Sequence, residues 1–145
     1  MKKVILGLAA GVLCLSLAQA KDHQVKMLNK NADGTMTFEP LLVKAAVGDT
    51  ITFIPTDKGH DAKSTLVPDG AQPFSGKINE QFTYKLEKEG VYVYVCTPHR
   101  PMNMSGLVQV GKAANLDKAK EEIEKIESKA VTNKGRLKKA AEGIK

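Results

Sequence analysis

The chain has 145 residues and a formal net charge of +6, and it contains only three histidines and two cysteines. Its basic residues form no dense Lys/Arg block interleaved with aromatic side chains, which excludes the usual nucleic-acid-binding patterns. Three histidines are also too few for an oxygen-reducing cluster of several copper ions. The moderate positive charge favours solubility and a positive face for an acidic partner.

Residues 1–20 have the pattern of a secretory signal peptide. Lys2 and Lys3 precede an apolar run over residues 4–18, and Ala18-Gln19-Ala20 places small residues at the expected cleavage positions. Because the apolar run is shorter than the roughly 20 residues of a membrane-spanning helix, we expect cleavage after Ala20 rather than a retained anchor. The expected mature chain is therefore exported, free of the membrane and short enough to be one domain.

Removal of the signal peptide leaves Cys96 as the sole cysteine. A single cysteine cannot form an internal disulfide bond. In an oxidising exported compartment, an unpaired thiol is a liability unless it is buried or bound to something. The lone Cys96 is therefore the first indication of a functional site.

Short β-strands separated by turns are predicted between residues 21 and 111. The predicted strands show alternating or β-branched residues and cover 25–28, 35–38, 41–45, 50–54, 82–86, 91–95 and 107–110. Residues 56–77 are rich in Gly, Pro, Asp and Ser and are predicted to form a long irregular loop. Seven or eight strands within about 90 residues, with no helices between them, indicate a mainly β, antiparallel sandwich.

The segment 112–145 is predicted to be a helical extension packed on the sandwich. Leu116, Ala119, Ile123 and Ile126 recur at helical spacing with charged residues between them, and Asn115 or Asp117 could cap this helix. A second short helix is predicted over residues 136–141, with Leu137 and Ala141 on one face.

The segment 96–104 carries the most informative chemistry. Cys96, His99 and two methionines, Met102 and Met104, offer a thiolate, an imidazole and a thioether within nine residues. Such soft donors select copper over the hard cations, which need carboxylate and carbonyl ligands. Two histidines and one cysteine in a trigonal arrangement, with a weak axial methionine, make up a blue copper site. We therefore expect one copper ion per chain. The segment supplies only one of the two histidines, so the second must come from elsewhere in the chain.

The second histidine is either His23 or His60. His23 lies close to the expected mature terminus, where order is usually poor. His60 follows a predicted strand at a turn, and a loop at that strand end can converge with the segment 96–104 at one pole of a sandwich. His60 is the better candidate.

Other interpretations of these residues remain. Cys96 could be an inert buried thiol, His99 a surface residue, and the methionines core fillers. A zinc site is less well matched, because zinc does not favour a thioether. A Cys–His nucleophile pair would need an orienting partner, for which Asp61 is the only nearby candidate.

The motif Cys96-Thr97-Pro98-His99, with Met104 five residues later, resembles the cupredoxins and, within them, the pseudoazurin family. The matching segments extend over the mature chain and are Met27-Leu28-Asn29-Lys30, Phe38-Glu39-Pro40, Gly48-Asp49-Thr50, Phe53-Ile54-Pro55, Asp57-Lys58-Gly59-His60, Lys77-Ile78-Asn79-Glu80 and Ala114-Asn115-Leu116-Asp117. The resemblance implies a Greek-key β-sandwich of about eight strands with two C-terminal helices. It also implies a periplasmic blue copper protein that transfers single electrons and is not an enzyme.

The resemblance assigns roles to residues around the proposed copper. It implies Met104, not Met102, as the axial ligand, and a backbone amide of Asn29 that donates toward the Cys96 sulfur. Asp61 stands where the family usually has an asparagine that bridges the two ligand loops. Because an ionised carboxylate cannot donate a hydrogen bond, we expect this bridge to be weakened. Thr97 and Pro98 complete the short loop between two ligands, and Pro98 should stiffen it.

The resemblance also implies a docking surface around the exposed edge of His99. An apolar collar is expected from Met36, Pro55, Pro101 and Met102, and a ring of positive charge around it from Lys30, Lys58, Lys77 and Arg100. The expected partner of this monomer is an acidic redox protein of denitrification, such as a copper nitrite reductase or a c-type or cd-type cytochrome. The alternative is a copper carrier or storage protein, although ligands on two separate loops suit retention better than release.

Overall fold

The computed structural model describes residues 19–145. The predicted signal peptide, apart from its last two residues, lies outside the described residues, so cleavage after Ala20 stays a prediction. Within residues 19–145, eight strands and two α-helices follow one another: β1 Asp22–Asn31, β2 Gly34–Glu39, β3 Leu42–Ala45, β4 Thr50–Ile54, β5 Lys63–Leu66, β6 Phe82–Lys85, β7 Gly90–Val95, β8 Ser105–Val110, α1 Leu116–Lys129 and α2 Arg136–Ala141. A short 3₁₀ turn, Thr97–Met102, lies between β7 and β8.

The strands form two four-stranded sheets, with the orders β2-β1-β4-β6 and β3-β8-β7-β5. The prediction of a mainly β sandwich with two C-terminal helices is confirmed. The prediction that the sandwich is antiparallel is wrong in two places, because β1 pairs with β4 and β3 pairs with β8 in parallel. In both cases the chain crosses between the sheets before it returns, so no hairpin forces the two strands into opposite directions.

Strand β5 lies inside the segment that was predicted to be an irregular loop. Lys63 pairs with Val95 and Ser64 with Tyr94, after which the register shifts before Leu66 pairs with Val93. The sequence Lys-Ser-Thr-Leu has little apolar alternation of its own. Pairing with the strongly β-forming β7 therefore makes it a strand, and local pattern could not have indicated this.

Strand β7 separates two hydrophobic clusters, as its alternation predicted. Tyr92 and Tyr94 face the interior between the sheets, where the Tyr94 ring lies 4.9 Å from the Phe38 ring in an edge-to-face contact. Val91 and Val93 face the opposite side. All six residues of β7 are buried because one face meets the other sheet and the second face meets the helices.

The two helices cover the outer face of β7 and β8. Their buried apolar residues belong to the predicted apolar stripes, with Ala119, Ile123 and Leu137 packed against Val91 and Val93. Asn115 stands at the first position before α1, but its side chain does not cap the helix. Instead its amide pairs with both backbone groups of Val91, at 2.7 and 2.9 Å. The helical extension is thus bonded to the strand that leads to Cys96.

Within residues 19–145, no helix is both long enough and apolar enough to cross a lipid bilayer.

Candidate metal centre

Two loops at one pole of the sandwich carry the candidate ligands. His60 lies in the loop that follows β4, and Cys96 is the residue directly after β7. The Cys96 amide donates to the Met104 carbonyl at 2.8 Å, and the Met104 amide donates to the His99 carbonyl at 3.3 Å. These bonds close the loop from Cys96 to Met104 above the β7–β8 pair. Residues at both ends of this loop are therefore fixed by the sheet.

The structure brings together one nitrogen of each of two imidazoles and the Cys96 thiol. The His60 Nδ1 lies 3.2 Å from the His99 Nδ1, and the Cys96 Sγ lies 3.7 Å from the former and 3.4 Å from the latter. A triangle with these sides has a point about 2.0 Å from all three atoms, which matches typical metal–nitrogen and metal–sulfur bonds of about 2.0–2.3 Å. The three donors thus form a preformed trigonal pocket.

The His60 ring presents its Nδ1 to this pocket because its other nitrogen is engaged. The His60 Nε2 lies 2.9 Å from the Asn29 Oδ1, and a carbonyl oxygen can only accept, so Nε2 carries the proton. His60 is fully buried. Burial lowers the pKa of its imidazole below the ordinary value of 6.5, and His99 lowers it further. Both effects keep His60 neutral, which a metal ligand requires.

The Cys96 side chain is fully buried. Burial raises the pKa of its thiol to about 11, against the opposing effect of the backbone N–H groups of Asp61 and His99, which favour the thiolate. A buried thiolate needs a positive charge beside it, and a metal ion in the trigonal pocket would supply that charge. The donor set and its surroundings fit a soft cation.

The structure corrects the expected role of Asn29. Its backbone amide donates to the Asp57 Oδ2 at 2.7 Å, not toward the Cys96 sulfur. The Asp57 carboxylate is the stronger acceptor, because a charged oxygen forms a charge-assisted hydrogen bond. Asn29 instead acts on the pocket through its side-chain oxygen, which orients His60.

The structure also corrects the expectation that Asp61 weakens the bridge between the ligand loops. The Asp61 Oδ1 accepts a hydrogen bond of 2.6 Å from the Thr97 amide, and Asp61 is only 7% exposed. The bridge forms because the protein presents an N–H donor on the Thr97 side, so a carboxylate serves as well as an amide oxygen. The loop that carries His60 is thereby joined to the loop that begins at Cys96.

The remaining candidates are separated by their burial and partners. Met104 is fully buried in the same core cluster as Cys96, whereas Met102 is 39% exposed. His23 lies elsewhere, with its Nε2 2.8 Å from the Asp49 carboxylate. Among the described residues the metal-ligating cluster is formed by His60, Cys96 and His99.

The residues expected to surround His99 all reach the protein surface. His99 is partly exposed, as are Met36 and Pro55 of the expected collar, and the other two collar residues, Pro101 and Met102, are exposed. All four residues of the expected basic ring are exposed, and these are Lys30, Lys58, Lys77 and Arg100. Thr97 and Pro98 are exposed at the start of the 3₁₀ turn.

Two exposed apolar residues beside the ligand loops were missed from the sequence. Val131 is 72% exposed, and its amide donates to the Pro101 carbonyl at 2.7 Å. Ile78 is 51% exposed, and the next residue, Asn79, donates its amide to the His60 carbonyl at 3.0 Å. Each is a lone apolar residue in a polar segment, which is a weak signal until the fold places it beside the site.

Comparison with known proteins identifies the family. Residues 25–111 match the family described as copper binding proteins, plastocyanin/azurin family. A putative pseudoazurin of Rhizobium leguminosarum bv. viciae is 48% identical over 120 residues, which cover 81% of this chain and 79% of the relative. Native pseudoazurin from Hyphomicrobium denitrificans has a similar solved structure, with a TM-score of 0.66, 48% identity, and coverage of 69% of this chain and 83% of that one.

This chain belongs to the pseudoazurins.

A pseudoazurin of Paracoccus pantotrophus is also 48% identical, over 118 residues that cover 77% of this chain and 81% of the relative. Pseudoazurins are type 1 copper proteins that carry electrons and are not enzymes. As a member of that family, this chain is a copper-binding electron-transfer protein. The zinc and Cys–His nucleophile interpretations of Cys96 and His99 are therefore set aside.

Proposed function

We propose that this pseudoazurin is exported to the periplasm, holds one copper ion through His60, Cys96, His99 and Met104, and passes single electrons to an acidic redox partner. The trigonal pocket of three donor atoms carries this proposal. The pattern of residues 1–20 supports export. The exposed lysines that are expected to surround His99 support the choice of an acidic partner, of which a copper nitrite reductase and a c-type or cd-type cytochrome are examples.

A bound copper ion would supply a one-electron couple between its +1 and +2 states. The chain contributes a set of donors that changes little between those states, because the donors are held before any metal binds. His60 is oriented by Asn29, and the loop of His60 is joined to the loop of Cys96 by Asp61 and Thr97. Such cross-links limit the rearrangement that would otherwise slow each transfer.

Burial of the proposed ligands excludes water from three sides of the pocket. His60, Cys96 and Met104 are fully buried, whereas His99 reaches the surface. The His99 ring is therefore the shortest route between the pocket and a docked partner. Apolar residues around His99 can exclude water from the contact, and the basic residues outside them can steer an acidic partner toward it.

The ligand set is tested by titrating the purified metal-free protein with Cu²⁺ and recording its absorption. A copper–thiolate bond gives an intense band at about 600 nm, which should saturate at one equivalent. Cys96→Ser should abolish the band. Two matched pairs test the other assignments: His60→Gln should abolish the band while His23→Gln keeps it, and Met104→Gln should shift it while Met102→Gln leaves it in place. A colourless wild-type protein, or a coloured C96S variant, would contradict the proposal.

A further inference from the structure

Arg136, the first residue of α2, lies between two backbone segments at the proposed copper pole. Arg136 is only 8% exposed. Nη1 donates to the Thr35 carbonyl at 2.8 Å, and Nη2 lies 2.6 Å from the Met36 carbonyl and 2.6 Å from the Asn103 carbonyl. A longer contact of 3.3 Å joins Nη2 to the Met102 carbonyl. One guanidinium therefore holds the start of β2 and the end of the ligand loop together.

Both segments have a backbone that needs support. Met36 has a φ of 46° and Asn103 a φ of 53°, which place both in the left-handed region. Asparagine tolerates this region, but methionine adopts it only where the surroundings hold it there. Arg136 bonds to the carbonyl of each of these two residues. Its hydrogen bonds thus support the two left-handed backbone positions, Met36 and Asn103.

A second side chain joins the same segments from the same connection. Asn133, between the two helices, donates to the Thr35 carbonyl at 3.1 Å and to the Met102 carbonyl at 2.8 Å. The Asn103 side chain in turn donates to the Asn133 carbonyl and to the Glu127 carboxylate, both at 3.0 Å. The C-terminal extension is therefore bonded to the ligand loop itself as well as packed on the outer sheet.

We propose that Arg136 is a positioning residue of the copper centre, which fixes the backbone of Asn103 and thereby the adjacent Met104, and aligns Met36 with Met102 beside His99. The proposal rests on the proposed role of Met104 as axial ligand. The hydrogen bonds of Arg136 go to backbone carbonyls next to the proposed ligand Met104 and not to a ligand side chain, so Arg136 acts through the backbone. Lysine cannot replace it, because the two segments require the planar fork of a guanidinium and an ammonium offers its donors from one point.

The test compares Arg136→Met and Arg136→Lys with Leu137→Ala. Leu137 is the next residue of α2, is fully buried and packs against Val91, Val93 and Leu107. Leu137→Ala should therefore weaken the docking of the same helix without removing a bond to the ligand loop. It is the matched control for a purely structural effect.

The first measurement is amide hydrogen exchange of the metal-free protein at Asn103 and Met104. Loss of hydrogen bonds from a charged donor should speed local exchange at these amides by about tenfold in R136M. Exchange at the same amides should change less in L137A once it is corrected for global stability. R136K should resemble R136M rather than wild type. If R136M does not fold, the comparison is made with R136K, for which the same increase is expected.

The second measurement is the reduction potential of the copper-loaded variants. A displaced Met104 sulfur weakens the axial interaction, which should shift the equilibrium of reduction toward Cu⁺ by about fivefold in R136M and R136K but not in L137A. Equal effects of R136M and L137A on both readouts, or none in either arginine variant, would overturn the proposal. A wild-type protein that binds no copper would instead overturn the proposed function, and the metal-free exchange result would still decide whether Arg136 holds the loop.

Discussion

His60 and Cys96 are buried, and residues from other parts of the chain determine which of their atoms face the pocket. The Asn29 side chain fixes the proton of His60 on Nε2. Asp61, which follows His60, accepts a hydrogen bond from the amide of Thr97, which follows Cys96. The free-energy cost of these contacts is small, because they replace hydrogen bonds to water with hydrogen bonds inside the protein. They decide which atoms face the pocket before a metal arrives.

Asn29→Ala should lower copper affinity by about 10–100-fold, because the His60 ring loses the partner that orients it. The expected result is a weaker binding isotherm with the same band position at saturation. Asn31→Ala is the matched control, since the Asn31 amide bonds the exposed Glu39 carboxylate on neighbouring β2. Equal affinities of N29A and N31A in a competition titration with a chelator would contradict this role of Asn29.

Asp61→Asn should raise the reduction potential by about 50–100 mV, because a neutral amide removes a negative charge that favours the +2 state of copper. The Asn oxygen can still accept from Thr97, so the stability of the metal-free protein should change little. Asp61→Ala should also raise the potential but should lower the free energy of unfolding by about 1–3 kcal/mol, since the Thr97 amide loses its acceptor. Voltammetry and urea unfolding measure both quantities. A potential for D61N at or below the wild-type value would contradict the electrostatic argument.

At the scale of elements, two carboxylates tie neighbouring segments together by accepting hydrogen bonds from the backbone. Asp49, in the turn before β4, accepts from the backbone nitrogens of Lys21 and Ala46 and from the His23 ring, at 2.8–3.0 Å. Glu127, near the end of α1, accepts from the backbone amides of Gly135, Leu137 and Lys138 at the start of α2, at 2.7–3.2 Å. One anchors the start of β1, and the other holds the second helix against the first.

Asp49 should make the free energy of unfolding depend on pH in the acidic range. Hydrogen bonds from the backbone of Ala46 and Lys21, and then from His23, lower its pKa from the ordinary 3.8 to about 2. Because the folded-state pKa lies below the ordinary one, the stabilisation is complete above about pH 4 and is lost as pH falls toward about 2.

Urea unfolding of the metal-free protein between pH 2 and 7 measures this dependence. Asp49→Asn should remove about 2 kcal/mol at neutral pH and flatten the acid limb of the profile. His23→Gln should remove only part of the effect, because the two backbone donors remain. A profile of D49N that is parallel to wild type throughout would contradict the assignment.

Glu127→Ala should lower the free energy of unfolding by about 2 kcal/mol, because the backbone amides at the start of α2 and the Asn103 side chain lose a charged acceptor. The matched control is Glu124→Ala, which removes an exposed ion pair with Lys138 on the same two helices. An exposed pair contributes at most about 1 kcal/mol. Equal destabilisation of E127A and E124A in thermal unfolding would contradict this role of Glu127.

At the scale of the whole molecule, the two poles of the sandwich have different tasks. The ligand loops and the exposed edge of His99 lie where β4 and β7 end and β8 begins. The opposite pole carries the Asp49 turn and the end of β8 at Val110. Charges near the first pole can steer a partner, whereas charges near the second contribute only to the overall field.

Lys58→Glu and Lys77→Glu should each slow association with an acidic redox partner by about tenfold at low salt, and the effect should shrink as salt screens the charges. Lys112→Glu carries the same change of charge two residues after the end of β8, at the opposite pole, and should have a much smaller effect. Stopped-flow electron transfer at several ionic strengths measures both. Rates that do not vary with salt, or equal effects of K58E and K112E, would contradict steering.

The sequence predicts much of this arrangement, for physical reasons that also mark its limits. Alternation in β7 and the apolar stripe of α1 are local patterns, so they were predicted correctly. Strand β5 depends on a neighbour distant in sequence, and the parallel pairing of β1 with β4 depends on the path of the chain. The role of the Asn29 side chain and the contacts of Arg136 depend on which donors and acceptors the fold brings together. No spacing in the sequence indicates those.

The most direct test of the central claim is a crystal structure of the copper-loaded protein with an anomalous difference map at the copper edge. The account predicts one peak per chain, about 2 Å from the His60 Nδ1, the His99 Nδ1 and the Cys96 Sγ. The Met104 sulfur should lie to one side of the plane of these three atoms and face the peak. A peak at His23 and Asp49, a second peak of equal height, or a copper that is not bonded to Cys96 would contradict it.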